Sequence, residues 1–105
     1  MNQAPSMKYL ALSILKEKSD WLYGGQLDRM VYNACEGKHK EAICHRRVQE
    51  LAKDGYKTPY GTLRILRRLV PFEGKQVVQY KFDFDTELQL KEARDRESLR
   101  YAAGL

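Results

Sequence analysis

The hydrophobic period of this chain changes after Gly55, and that change limits the folds open to it. Before Gly55 the apolar residues recur at helical spacing. After a loop marked by Pro59 and Gly61, they come in runs that end in strict alternation. Val78, Tyr80, Phe82 and Phe84 alternate with Gln79, Lys81, Asp83 and Asp85. A period of two marks a strand with one buried face and one wet face. Leu63, Ile65, Leu66, Leu69, Val70 and Phe72 precede it without clean alternation, and Glu73-Gly74-Lys75 joins the two runs as a hairpin. The expected class is therefore mainly α with a small β-hairpin, an α+β fold.

The helical part divides at its breakers. Ser6 suits the cap of a helix in which Met7, Leu10, Ala11, Ile14 and Leu15 share one face. Lys16 to Asp20 ends it, and Trp21-Leu22-Tyr23 suits one short strand. Gly24-Gly25 breaks the chain before a second helix of about 25–35, carried by Leu27, Met30, Val31 and Ala34. Asn33 to Lys40 is a polar connector. A third helix runs from about Lys40 to Asp54, stopped by Gly55 at the position where a left-handed residue costs least. Residues 86–100 form a last helix, with Glu87–Lys91 and Glu92–Arg96 as i, i+4 pairs worth ~0.3 kcal/mol each.

A chain of 105 residues is one domain with a modest core. Its 43% hydrophobic content sets it apart from disordered sequences. No apolar run approaches the roughly 18–20 residues that span a bilayer. The first residues have no charged leader and no small-residue cleavage site, so the expectation is no signal peptide and no membrane. The expected location is the cytoplasm, the host's for a viral protein. There Cys35 and Cys44 stay reduced.

The net charge is +5, and residues 86–105 sum to zero, so the first 85 residues carry all of it. Two stretches concentrate it. Lys38, Lys40, Arg46, Arg47 and Lys53 face only Glu41 and Glu50 in the first; Arg64, Arg67, Arg68, Lys75 and Lys81 face only Glu73 in the second. A solvated surface accommodates such charge, but clustering favours a polyanionic partner.

On a wheel of the third helix, Cys44, Val48, Leu51 and Ala52 fall within an arc of about 80°, the core face. Ala42, His45, Arg46, Gln49 and Lys53 fall together in the next arc, with Ala42 keeping that surface low. Arg47 lies on the other flank with Glu50 and Asp54, and Ile43 fits neither face except by packing under a loop. A helix fits the DNA major groove, where Arg and Gln read base edges and Lys and His touch phosphate. An ordinary solvated helix surface fits the same residues.

Other chemistry is weaker. Cys35, His39, Cys44 and His45 are all metal-ligand types within eleven residues. Their spacing is not a recurring structural pattern, and Cys44 sits on the core face, where a thiol behaves as a hydrophobe. No metal or cofactor is assigned. Gly24-Gly25 lacks the Lys-Ser/Thr of a phosphate loop, and Asp83 and Asp85 lack converging partners, so they read as solubilising charges and no enzyme is expected. Of the tyrosines, Tyr80 suits the core edge, Tyr56 the exit from the third helix, and Tyr60 an exposed stacking position.

The order of elements tips the balance toward nucleic acid. "GGQLDRMV" as second helix, "HRRVQELAKDGYK" as third helix with its exit, and "LRRLVPFEGKQVVQYKF" as two wing strands resemble a winged helix–turn–helix domain. The likeness is to small bacterial, archaeal and viral regulators, and covers residues 7–84. It departs from the family in its long connector and in the long stretch from Thr58 to Thr62.

The resemblance implies a three-helix core, a wing sheet of two to three strands in residues 1–85, and a C-terminal helix in 86–105 that serves dimerisation. It implies double-stranded DNA as partner and transcriptional regulation as function. Base contacts fall to Arg46 and Gln49. His45, Lys53, Lys40 and Lys38 take phosphate, and Lys75 and Gln76 the backbone or minor groove. Arg67 and Arg68 alternate faces, so at most one faces DNA and the other is available to Asp83 or Asp85. Two alternatives stand beside it: a protein–protein module of a larger assembly, and a replication or genome-maintenance role on DNA.

Overall fold

The structure is a computed structural model that describes residues 6–102 and 104. The ends of the two expected spans, 1–85 and 86–105, and the start read for a leader lie partly outside the described residues, at 1–5, 103 and 105. The order is α1 (Met7–Lys18), β1 (Leu22–Tyr23), α2 (Gly24–Ala34), α3 (Glu41–Asp54), β2 (Tyr56–Thr58), β3 (Gly61–Leu63), β4 (Ile65–Phe72), β5 (Lys75–Phe82) and α4 (Phe84–Ala102). The class is α+β. Among the described residues no helix is long and apolar enough to cross a membrane.

Capping chemistry sets the helix ends. Ser6 Oγ accepts the Tyr9 N–H at 3.1 Å, and Ser19 closes α1 in the left-handed region. Gln26 Oε1 accepts the Tyr23 N–H at 3.0 Å at the start of α2. Gly24 brings that helix start against the sheet: a Cβ there would lie 2.9 Å from Val78 Cγ1. Gly55 ends α3 at φ 75°, its N–H bonded to the Leu51 carbonyl at 2.8 Å. A Cβ on it would meet Thr62 Cγ2 at 2.6 Å and the Leu63 carbonyl at 2.9 Å, so only glycine lets the chain turn this tightly into β2.

The main sheet is antiparallel with strand order β1-β5-β4. Its register pairs Leu22 with Tyr80, Ile65 with Phe82 and Phe72 with Lys75 across a Glu73-Gly74 turn. Helices α1, α2 and α3 cover the face that carries Tyr80 and Phe82. Leu15, Leu27, Leu51 and Phe82 are fully buried there, each contributing about 1.5–3 kcal/mol of transfer free energy. Cys44 and Val48 join them from α3, with Ala52 half-buried beside them. Beyond Ile65 the core is carried by β5 through Tyr80 and Val78, while Leu66, Leu69 and Phe72 of β4 are exposed and the end of the hairpin extends past the core.

Several expectations are corrected. The stretch read as a loop at Pro59 and Gly61 is a second, two-stranded hairpin, β2-β3. Thr58 Oγ1 accepts the Tyr60 N–H and donates to the Gly61 carbonyl, closing the turn. The alternating strand stops at Phe82. Asp83 Oδ1 accepts the N–H groups of Asp85 and Thr86 at 3.1 and 3.2 Å and starts α4, so Phe84 and Asp85 are helical. Glu87 pairs with Lys16 at 2.6 Å instead of Lys91, and among the described residues Glu92 and Arg96 form no ion pair. Ile43, expected to pack under a loop, is exposed.

Helix α4 buries none of its residues. It is held at its start by the Asp83 cap, by Phe84 edge-on to Phe82 at 4.7 Å, and by Lys16. Further along, Leu90 packs against Gly61.

Candidate functional site

One face of α3 is open to solvent along its whole length. Ala42, His45, Arg46, Gln49 and Lys53 are all exposed, above the buried row of Cys44, Val48 and Leu51. The helical period turns five near neighbours into one strip of donors with a small residue at its start. The opposite flank is closed by ion pairs. Arg47 Nη1 bonds both oxygens of Glu50 at 2.8 and 2.9 Å, and Lys8 reaches Glu50 at 3.3 Å. The Arg47 hydrogen bond, aided by Lys8, holds the Glu50 carboxyl below its ordinary range. Arg47 is thus engaged within the protein, while Arg46 is left outward.

His45 is in the open strip, yet its Nδ1 lies 2.6 Å from Asp28 Oδ2 on α2. The other Asp28 oxygen is buried without a hydrogen-bond partner. Asp28 and His45 line a concavity of about 370 Å³ between α2 and α3, with Gly25, Arg29, Glu41 and Ala42.

Lys38 and Lys40 are exposed in the connector immediately before α3, and Lys40 supplies the carbonyl that accepts the Cys44 N–H. Lys75 and Gln76 are exposed at the hairpin end, paired in register with Phe72 and Pro71. The α3 residues thus form one strip, while the hairpin pair sits apart on its own arm.

The two arginines of β4 do point to opposite faces, but neither serves Asp83 or Asp85. Arg68 Nε donates to Gln79 Oε1 at 2.7 Å, and its guanidinium lies 4.1 Å from the Trp21 ring centroid. Gln79, expected on the wet face of its strand, is buried under this contact. Arg67 lies opposite Tyr80, on the helix side of the sheet. Burial pushes the Tyr80 hydroxyl above its ordinary pKa, with Arg67 opposing and Asp28 reinforcing that shift. Arg67 itself remains exposed.

The four metal-ligand types do not converge. Cys44 Sγ lies 3.8 Å from Met7 Sδ in the core, and burial together with Cys35 pushes its thiol up. His39 is exposed and His45 is turned to Asp28. Among the described residues no group of three His, Cys, Asp or Glu is placed to hold a metal ion.

The sequence pattern did not reveal a second basic concavity. Lys8, Lys53, Lys57 and Arg64 line an open cleft of about 580 Å³ with Asp54. They come from α1, the end of α3, β2 and the single residue between β3 and β4. No local spacing links them: the turn at Gly55 sets Lys57 close to Lys53, the packing of α1 adds Lys8, and the end of β3 adds Arg64. No protein-family model matches the chain, and no curated protein is significantly similar to it.

Proposed function

We propose that this chain is a winged helix–turn–helix protein that binds double-stranded DNA and regulates transcription, acting by binding rather than by chemistry. The observation that carries it is the open strip of α3, where Arg46, Gln49 and Lys53 stand clear over a fully buried apolar row. The β1-β5-β4 sheet behind three helices, with a hairpin projecting past the core, supports the fold assignment. Arg46 and Gln49 read base edges. Lys38, Lys40, His45 and Lys53 meet phosphates flanking the groove. Lys75, Gln76 and the exposed Arg67 contact the backbone from the wing. Helix α4, with Leu88 and Leu99 exposed, joins two copies so that a two-fold site is read. The compartment is the cytoplasm.

Titration into random duplex at about 50 and 200 mM salt tests this directly. With about five phosphate contacts, affinity falls roughly tenfold to a thousandfold across that range. On a selected site, Arg46→Ala or Gln49→Ala costs about 1–3 kcal/mol and little on random duplex, whereas Lys75→Ala weakens both alike. Absence of duplex binding at the lower salt overturns the proposal. A second function is then favoured by Leu66 and Phe72, exposed on the same face of β4: a protein-docking module, whose partner a crosslinking search from that hairpin would identify. A replication role would use the same contacts on DNA.

A further inference from the structure

The cleft between α1, the end of α3 and the β2-β3 hairpin gathers four cations, including two, Lys57 and Arg64, that no carboxylate pairs among the described residues. Lys8 is answered by Glu50 at 3.3 Å. Lys53 and Asp54 close the last turn of α3, where the helix dipole favours a cation. Lys57 and Arg64 lie beyond that turn, and among the described residues neither has a carboxylate at ion-pairing distance. With Lys8 taken by Glu50, three cations, Lys53, Lys57 and Arg64, face the one lining carboxylate, Asp54, around a cleft of about 580 Å³. Like charges brought together in a concavity focus a positive potential. Arg64 offers a planar fork that matches two oxygens of a phosphoryl group, and the lysines offer compact charges around it.

We propose that this cleft binds a phosphate group, held chiefly by Lys57 and Arg64 with Lys53 and Lys8 at its edge. The phosphate comes either from a nucleic acid backbone or from a free phosphorylated ligand. The site shares only Lys53 with the α3 strip and does not depend on base reading there.

The test compares the intact chain with the Lys57→Ala/Arg64→Ala double variant and with Arg46→Ala, which lies outside the cleft. All three are titrated with sodium pyrophosphate by calorimetry and with random duplex at about 50 and 200 mM salt. Both cleft residues are exposed, and a circular-dichroism melt verifies that the double variant folds. A free-ligand site appears as pyrophosphate binding that survives Arg46→Ala and weakens roughly tenfold or more in the double variant. A backbone site appears as a salt-dependent fall in duplex affinity that is about tenfold smaller in the double variant, the share of two phosphate contacts. If the intact chain binds neither probe, or the double variant matches it on both, the proposal is overturned. A chain that fails to bind duplex but still loses pyrophosphate with Lys57 and Arg64 overturns the DNA assignment alone.

Discussion

Nδ1 of His45 and Oδ2 of Asp28 lie 2.6 Å apart and fasten α3 to α2. His45 is the one hydrogen-bond partner of Asp28 among the described side chains, since Oδ1 is buried without one. The ring is therefore oriented from behind, which leaves Nε2 for a ligand. A double-mutant cycle on Asp28→Asn and His45→Ala, read by urea unfolding, should give a coupling of about 0.5–1.5 kcal/mol. Additive effects would mean that the contact does not hold the helices together.

Gly55→Ala should destabilise the chain by about 1–3 kcal/mol or more. The backbone there has φ 75°, and the new methyl would sit 2.6 Å from Thr62 Cγ2. The loss should show as a lower urea midpoint with an unchanged m-value. An unaltered midpoint would mean that the β2-β3 hairpin does not lie against the end of α3.

Arg68→Ala should expose Trp21 and strand Gln79 together. The guanidinium covers the indole and supplies the hydrogen bond of a buried amide, so about 1–3 kcal/mol should be lost. The chain has one tryptophan, so its emission reports this contact alone and should shift to the red in the folded variant. Arg68→Lys should rescue little, because an ammonium does not stack as a planar fork does. Emission that stays at the wild-type position would separate Arg68 from Trp21.

Removing residues 91–105 should change stability by less than about 1 kcal/mol, a melting shift under roughly 4–8 °C. No residue of α4 is buried, its ties at Asp83, Phe84, Glu87 and Leu90 precede the cut, and the removed segment meets the body at Tyr60, itself exposed. Sedimentation should show the full chain associating and the shortened chain monomeric. Equal mass for both would remove α4 from any dimer.

Stability should fall on the alkaline side. Cys44, with an ordinary thiol pKa of 9.0, is pushed upward by burial, and so is the Tyr80 hydroxyl from 10.0. Above pH about 9 the unfolded chain releases protons that the folded chain retains, so unfolding gains ground as pH rises. Below that range both groups are protonated in both states and exert no pull. Cys44→Ala should flatten the first part of the decline, and in the native protein Cys44 should resist thiol reagents until it unfolds. A slope unchanged by Cys44→Ala would assign the alkaline loss to other groups.

The elements legible in the sequence were those whose signal is local. The Ser6 cap, the Gly55 stop, the Glu73-Gly74 turn and the buried row of α3 each depend on residues within a turn or two, and each stands where spacing predicts it. The misses share a different cause. Three-residue strands such as β2 and β3 are too short to show a period, so Thr58 and Gly61 read as loop. Alternation through Phe84 outweighed the capping chemistry of Asp83, which shows only when its carboxylate turns back on the next amides. Glu87 chose Lys16, 71 positions away, over Lys91. Arg68 chose Trp21, the residue just before β1. At the candidate site the α3 strip was readable from periodicity, while Lys8, Lys57 and Arg64 were not, because their proximity exists only after the chain has folded.

A single residue, Asp83, separates the central strand β5 from α4. There is no slack between them. The direction in which α4 leaves the body is set by the strand that carries Tyr80 and Phe82 into the core, together with Lys16 on Glu87 and Leu90 against Gly61. Whatever grips α4 therefore pulls on β5, and through it on both neighbouring strands and the hairpin arm.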